Sequence, residues 1–259
     1  MIRGNGIDGA PGRLELRAGL DGASQSGSFG LEQNLKLDVA GNVVLDGSNS
    51  IVRVWGSVGG DLSLSSSSSL LKVGGPASEA LNVSGSARLT ADGIDVVASL
   101  NAPMVQLRPL SGSNIEFSGN PDDGSYLRFS ATDLGNLSTS HLIIGDDSFG
   151  GTINVDQDVN FGSITTVNLV GNKVTSQIIG FDGVNAQNLF LSANTVDLHG
   201  NQITGKLAAE VGSGGLAFST IAGNITIGAG VATPTGTASG IWAPGASVKL
   251  ESLGGITQD

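Results

Sequence analysis

The sequence predicts an all-β protein in which short strands wind into a coiled β-solenoid. Pairs of aliphatic or aromatic residues that flank a single residue recur along nearly the whole chain, and most are followed closely by Gly, Asn, Asp or Ser. The 41 glycines among 259 residues indicate many tight corners, and an aromatic content of 4% indicates a thin aliphatic core. Because alternate residues of a strand face opposite sides, both members of a pair point inward together. A solenoid is the simplest fold that buries them all.

The pairs define the strands one by one. Most return every ~9 to 15 residues, which is the spacing of short strands separated by turns. A β-sandwich has about seven to nine longer strands, so the larger number of short ones favours a solenoid. In chain order the clearest pairs are Leu62/Leu64, Leu71/Val73, Leu81/Val83, Ile94/Val96, Val105/Leu107, Ile115/Phe117, Leu127/Phe129, Leu142/Ile144, Ile153/Val155, Val167/Leu169, Leu189/Leu191, Val196/Leu198, Ile225/Ile227 and Val248/Leu250.

The spacing also predicts how the strands are grouped, with residues 1–259 forming one domain. Coils of ~20 to 22 residues with two strands each imply on the order of twelve coils in a rod roughly 55 Å long, whereas three strands per coil imply a shorter, thicker rod. The spacing leaves both open. Longer intervals between pairs predict surface loops near 119–125, 145–152 and 232–240.

Corner residues fit the same architecture. Gly-Asn dipeptides at 41–42, 171–172, 200–201 and 223–224 stand just before apolar residues, and both residue types tolerate the positive φ of sharp corners. Their asparagines are either ordinary turn residues or stack on neighbouring coils through side-chain amides. The serine run at 65–69 predicts a flexible or stacked corner.

Composition excludes several function classes. A net charge of −11 disfavours binding to nucleic acid and to anionic membranes. The basic residues are scattered singly along the chain and predict no basic patch. The absence of cysteine excludes disulfides and thiolate chemistry. No apolar run is long enough to span a bilayer as a helix, and residues 1–12 lack the apolar core of a secretory signal, so an exported form would make this chain a fragment.

Particular stretches resemble the repeats of filamentous haemagglutinin-like exoproteins, which use two-partner secretion. Residues 134–145 read LGNLSTSHLIIG and residues 151–155 read GTINV. Residues 248–258, VKLESLGGITQ, look like another repeat. Weaker similarity at 42–46 and 188–198 extends the resemblance over most of the chain. The resemblance implies a right-handed parallel β-helix that is secreted through a dedicated outer-membrane pore of a Gram-negative bacterium.

The same resemblance implies a function. Such a protein is displayed or released as an adhesin that binds glycans or proteins on host or neighbouring cells. The family's secretion module carries Asn-Pro-Asn motifs, whereas this chain has only Asn120-Pro121-Asp122. We therefore expect an internal, non-catalytic stalk or adhesive segment of a longer exoprotein, with open ends that associate. A stalk that carries a C-terminal toxin outside this chain is a further alternative.

The main alternative is a polysaccharide-processing β-helix enzyme, which needs carboxylates from neighbouring coils on one face. Asp122, Asp123, Asp146 and Asp147 are the candidates, because the two pairs lie ~24 residues apart, close to one coil, in predicted loops. The same four residues are candidate cation ligands. Acidic loop pairs are more often solvated corners, and no calcium-binding loop pattern accompanies them. No cofactor is predicted.

The aromatic and imidazole residues add one binding candidate. Trp242 lies between Gly240 and Pro244, and an exposed tryptophan at such a corner can stack on sugar rings. Trp55 and Tyr126 are equally consistent with core filling. His141 and His199 lie far apart in the sequence, and although Asp197 shares a strand face with His199, two ligands do not make a zinc site.

Overall fold

The computed structural model describes residues 13–18, 23–24, 33–47, 49–119, 126–176 and 183–259, and only the backbone for 13–18, 23–24 and 33. It is a parallel β-solenoid of about eight turns. The chain forms two compact units. Unit 1 comprises residues 1–113 with 122–139, and unit 2 comprises residues 114–121 with 140–259.

The strands are short except for two. In chain order the first elements are β1 (Arg13–Ala18), β2 (Ala23–Ser24), β3 (Gln33–Val39), β4 (Val43–Leu45), β5 (Ile51–Val58), β6 (Leu62–Ser65), β7 (Leu71–Val73), β8 (Leu81–Val83), β9 (Ser86–Thr90), β10 (Ile94–Val96), β11 (Leu100–Asn101), β12 (Met104–Arg108), β13 (Ile115–Phe117), β14 (Leu127–Phe129), α1 (Ala131–Gly135) and β15 (Leu137–Ser138).

The remaining elements follow residue 140. They are β16 (His141–Gly145), β17 (Thr152–Val155), β18 (Val159–Asn160), β19 (Thr166–Val170), β20 (Lys173–Ser176), β21 (Val184–Ala186), β22 (Asn188–Ile203), β23 (Lys206–Thr220), β24 (Ile225–Ile227), β25 (Ala229–Thr233), β26 (Gly236–Ser239), β27 (Ile241–Trp242), β28 (Val248–Ser252) and β29 (Ile256–Gln258).

Unit 1 contains two parallel stacks joined by corners. One stack runs β1, β3, β5, β8, β11, β15, with β7 and β10 continuing the first half of β5. The other runs β2, β4, β6, β9, β12. Inward residues of successive turns lie in register and are buried, as in the ladder Val43, Leu62, Ala87 and Val105. Because inward and outward residues alternate along each strand, two inward apolar residues flank one outward residue, and such pairs correctly predict where the strands lie.

The serine run forms a stacked corner of unit 1. Ser66 is fully buried, and its hydroxyl both donates to the Ile51 carbonyl (2.7 Å) and accepts from the Ile51 amide (3.1 Å). The Ser66 amide donates to the carbonyl of Thr90 on a further turn. The hydroxyl thus supplies inter-turn hydrogen bonds where the chain turns and no strand is available.

Unit 2 has three segments in each turn. The first stack runs β16, β19, the first half of β22, the first half of β23, and β27. The second stack runs β13, β17, β20, the later parts of β22 and β23, and β28. A short third stack contains β18, β21 and the end of β22. The long strands β22 and β23 bend from one stack to the next, with register shifts after Ala193 and Leu198.

Turn length varies more than the sequence predicts. Register partners are 18 residues apart between Leu189 and Leu207, but 37 apart between Leu100 and Leu137. The longer turns contain inserted segments, including α1 in unit 1 and a hairpin in unit 2. The estimate of about twelve coils is therefore too high, and the structure has about eight.

Helix α1 was not predicted, since residues 131–135 are too short to show a helical pattern. A capping box defines its start, in which the Ser130 hydroxyl accepts from the Asp133 amide and the Asp133 carboxylate accepts from the Ser130 amide. The helix also completes a strand edge. Asp133 Oδ1 accepts from the Val96 amide (2.8 Å), and Asn136 Nδ2 donates to the Val96 carbonyl (2.5 Å). Two side chains thereby pair the backbone of Val96 as a neighbouring strand would.

The predicted loops have three different outcomes. Of the loop at 119–125, residues 120–125 lie outside the described residues. In the stretch predicted as a loop at 145–152, residues 146–151 connect β16 and β17, and Phe149 among them is buried. The stretch at 232–240 is largely structured, because β25 and β26 pair as an antiparallel hairpin.

Candidate functional site

The outer surface of the first stack of unit 2 carries the most distinctive site in the described chain. Leu189 and Leu191 of β22 point inward and are fully buried. The alternate residues of this stack therefore face outward, and register places them in two columns. One column contains Asn168, Phe190 and Ala208, and the other contains Ser192, Glu210 and Trp242.

The hairpin of β25 and β26 covers the first column. Val231 and Ala238 from the hairpin form a buried cluster with Phe190 and Ala208. The fully buried Asn168 is bonded on both sides, since its Nδ2 donates to the Ala232 carbonyl (2.8 Å) and its Oδ1 contacts His141 Nε2. The hairpin is thus fixed to the outer surface by an apolar contact and by an amide hydrogen bond.

The second column stays open to solvent. Trp242 is 64% exposed, and Glu210, its register partner one turn earlier, is also exposed. The exposed hydroxyl residues Thr235, Thr237 and Ser239 belong to the hairpin that ends just before Trp242. An indole face, a carboxylate and hydroxyl groups are the groups that stack on sugar rings and bind their hydroxyls. The exposure predicted for Trp242 is confirmed.

The other aromatic candidates differ from Trp242. Trp55 is only 5% exposed and belongs to the core of unit 1. Tyr126 is partly exposed, and the Arg128 guanidinium carbon lies 5.2 Å from its ring centre, within cation–π range.

Of the four acidic candidates, the structure describes only Asp146 and Asp147. Asp122 and Asp123 lie outside the described residues. Asp146 begins a turn in which its Oδ1 accepts from the Ser148 amide (2.9 Å) and from the Ser148 hydroxyl (2.7 Å). Asp147 is exposed in the same turn. The geometry of Asp146 is that of an Asx turn, which is a structural role for this carboxylate.

The imidazole of each histidine contacts a side chain on the next turn, Asn168 for His141 and Ser219 for His199. His199 Nε2 lies 2.8 Å from Asp197 Oδ1, and His199 Nδ1 lies 3.1 Å from the hydroxyl of Ser219 on the next turn. Gly200 (φ +72°) provides the corner predicted after His199, although β22 continues through it to Ile203. We interpret Asp197, His199 and Ser219 as a hydrogen-bonded link between two successive turns. The described part of the chain has no group of three or more His, Asp or Glu residues positioned to hold a metal ion.

Neither a protein-family model, nor a curated protein, nor a solved structure matches the chain. In the described residues, no helix is both long and apolar enough to cross a membrane.

Register also creates a charged column in unit 1 that the sequence alone did not reveal. Arg53, Lys72 and Asp95 are in-register partners on β5, β7 and β10, so the two basic residues stand side by side although they are 19 positions apart. Burial and the neighbouring Asp133 carboxylate raise the pKa of Asp95, while Lys72 and Arg53 act in the opposite direction. Asp95 stands in register beside the two basic residues, so this pair is compensated and is not an uncompensated basic patch.

Unit 1 also carries a groove on its surface. It lies over β4, β6 and β9 and is lined by Val44, Asp46, Asp61, Ser63 and Arg88, among others. Two of its carboxylates already accept structural hydrogen bonds, since Asp46 accepts from the Ser63 hydroxyl (2.6 Å) and Asp61 from the Ser86 amide (2.7 Å). The sequence did not indicate this groove, because its lining residues come from three separate strands and meet only through the turn register.

Proposed function

We propose that this chain is a non-catalytic structural and adhesive segment of a secreted, surface-displayed exoprotein of a Gram-negative bacterium. In this proposal it is part of a haemagglutinin-like adhesin stalk, exported through an outer-membrane pore and presented to glycans or proteins on other cells. The similarity of residues 134–145 and 248–258 to the repeats of haemagglutinin-like exoproteins supports the proposed family and the proposed location at the cell surface.

The observation that carries the adhesive role is the open column of Trp242 and Glu210 beside a hydroxyl-rich hairpin. Large aromatic side chains are usually buried, so a tryptophan that is 64% exposed on a regular strand is a candidate for contact with a ligand. The inward ladders are independent of these outward side chains, because each strand residue faces one side only. Binding residues can therefore vary without disturbing the core, as a display scaffold requires.

A non-catalytic role agrees with the chemistry of the acidic candidates. General acid–base catalysis on a glycan needs two carboxyl groups placed on either side of one bond. The Asp146 carboxylate is instead engaged by Ser148 within its own turn. The enzyme alternative predicts turnover on an acidic polysaccharide that depends on Asp122, Asp123, Asp146 and Asp147.

The binding proposal is tested with the whole chain on an immobilised panel of glycans and on fixed cells. We expect binding of a glycan subset that Trp242→Ala reduces roughly five- to thirtyfold, since aromatic stacking contributes ~1 to 2 kcal/mol. Leu110→Ala is the matched control, because Leu110 is also an exposed large apolar residue but lies in unit 1.

Two results would overturn the proposal. One is the absence of binding to every glycan and cell type tested, and the other is equal loss of binding in both variants. Reducing-end assays on the same glycans would separate binding from cleavage. Turnover abolished by replacing Asp122, Asp123, Asp146 and Asp147 with Asn, without unfolding of the chain, would establish the enzyme instead.

A further inference from the structure

The groove on unit 1 lies on the outer face of the second stack, over β4, β6 and β9. Register places Val44, Ser63 and Arg88 side by side across these three strands, and all three line the groove. Each of the three strands pairs with another strand on both sides, so the groove belongs to the middle of the stack. Its volume is about 330 Å³, at the lower end of the range for small-molecule binding sites.

Hydrogen bonds fix the positions of the polar groups in the groove. Asn42 Oδ1 accepts from the Asp61 amide (2.8 Å), and Asp61 Oδ1 accepts from the Ser86 amide (2.7 Å). The Ser63 hydroxyl donates to Asp46 Oδ1 (2.6 Å). Within the described chain, Asp61 Oδ2 and Asn42 Nδ2 make no further hydrogen bond. The groove therefore presents an acceptor and a donor that are already held in place.

Arg88 adds a positive charge to the same groove. Its side chain is exposed and makes no hydrogen bond or ion pair to another residue that the structure describes. A guanidinium has five N–H donors in a planar arrangement and no acceptor, whereas the carboxylates of Asp46 and Asp61 are acceptors only. Val44 is 38% exposed and contributes an apolar surface. The groove thus combines donors, acceptors and an apolar contact.

We propose that this groove binds a neutral saccharide. A sugar hydroxyl can donate to a carboxylate and accept from a guanidinium at the same time, so it satisfies both kinds of charged group in the groove. The two carboxylates oppose an anionic sugar, and Arg88 opposes a cationic amino sugar. Val44 supplies the apolar surface against which the C–H groups of a sugar ring pack.

This inference rests on the proposed adhesive function for its biological context, but it concerns a second site. Trp242 belongs to unit 2 and the groove belongs to unit 1, so binding in the groove does not need the indole ring. The whole chain carrying Trp242→Ala is therefore used to measure the groove by itself. Glycan binding by the unaltered chain tests the adhesive function separately.

Saturation-transfer NMR with this chain tests the proposal. The probes are neutral disaccharides of glucose, galactose and mannose, each with a matched analogue that carries a uronate or an amino sugar. We expect saturation transfer to at least one neutral disaccharide and weaker transfer to its charged analogues. The proposal is overturned if no neutral disaccharide receives saturation, or if a charged analogue binds more tightly than its neutral counterpart.

Arg88→Ala shows whether the bound sugar lies in the groove. It should raise the dissociation constant of the neutral disaccharide roughly tenfold, because it removes hydrogen bonds from a charged donor to the sugar. Arg128→Ala is the matched control, since it removes the same charge from unit 1 at a residue that does not line the groove. Circular dichroism confirms that both variants fold. Equal dissociation constants in the two variants contradict the proposed site.

A double variant, Asp46→Asn with Asp61→Asn, tests the charge argument. Asparagine keeps the Oδ1 acceptor that Ser63 and Ser86 use, but it removes both negative charges. Arg88 is then the only charged residue among the described residues that line the groove. This variant should bind the uronate analogue more tightly than the neutral disaccharide, which reverses the original order. A purely structural role of the two aspartates predicts no reversal, so an unchanged order counts against the proposal.

Discussion

At the scale of single residues, asparagine and aspartate side chains connect successive turns at the corners. Asn42 Oδ1 accepts from the Asp61 amide (2.8 Å), and Asp61 Oδ1 accepts from the Ser86 amide (2.7 Å) one turn further on. Asn224 Oδ1 accepts likewise from the Gly255 amide (2.7 Å). Each side-chain oxygen replaces the carbonyl that a neighbouring strand would offer, so the hydrogen-bond ladder continues where the chain bends.

The corner asparagines bond mainly to backbone amides and less to one another. Asn101 and Asn82 do share a side-chain hydrogen bond of 2.7 Å, but they lie within paired strands and not at a Gly-Asn corner. The sequence left open whether these asparagines are ordinary turn residues or bond to one another between coils. The asparagines at 42, 201 and 224 do neither, because their side-chain amides bind the backbone of the next or the preceding turn.

Asn201 should be the most sensitive of these corner residues. It is fully buried, accepts from the Val184 amide (2.9 Å) and donates to the Ser219 carbonyl (2.9 Å). Asn201→Ala leaves both backbone groups without this partner and should lower the free energy of unfolding by ~2 to 3 kcal/mol. Asn224→Ala, at an exposed corner, should cost less than ~1 kcal/mol because water replaces the amide. Urea denaturation followed by circular dichroism measures both, and equal costs would contradict the burial argument.

At the scale of elements, the sequence predicts the strands well and the inserted segments poorly. The pairs Leu142/Ile144 and Val167/Leu169 coincide with β16 and β19, because an inward pair must be apolar wherever it occurs. Phe190 is also buried, but its partners Val231 and Ala238 are some 40 to 50 residues further along the chain. Short-range periodicity contains no signal for such a contact.

The candidate site, like the fold, was only partly predictable from the sequence. The exposure of Trp242 follows from its position between Gly240 and Pro244, which was visible in the sequence. Its neighbour Glu210 is set by the pairing of β23 with β27 across a hairpin, so the spacing of apolar pairs does not reveal it. Asp146 and Asp147 were recognised as a loop pair, but the hydrogen bonds from Ser148 depend on the local turn geometry.

The hairpin should behave as a unit that loosens separately from the stacks. Phe190→Ala removes the ring that Val231 and Ala238 cover on the outer surface, and should increase hydrogen exchange at residues 229–239 without exposing the inward ladders. Phe218→Ala is the matched control, since Phe218 is 1% exposed on the second stack and its loss should destabilise the surrounding turns by ~3 to 5 kcal/mol. Similar exchange patterns in the two variants would show that the hairpin is not an independent unit.

At the scale of the whole molecule, stability is distributed along turns that bind mainly their neighbours. A residue in a middle turn contacts a turn on each side, whereas among the described residues the turn at 241–258 pairs with one turn only. Within unit 2, Leu189 is fully buried between Val167 and Leu207, while Leu250 pairs with Phe218 on one side and is partly exposed. Two leucines in the same kind of strand position therefore have different environments, one covered on both sides and one covered on a single side.

This difference predicts unequal costs for the same truncation. Leu189→Ala should lower the free energy of unfolding by ~3 kcal/mol, because it opens a cavity between two covered turns. Leu250→Ala should cost clearly less than Leu189→Ala, since Leu250 is partly exposed and pairs with a single neighbouring turn among the described residues. Urea denaturation at low protein concentration measures both values, and hydrogen exchange should be fastest at residues 241–258. Equal costs, or uniform exchange along unit 2, would mean that the turns unfold as one block and not from the exposed turn inward.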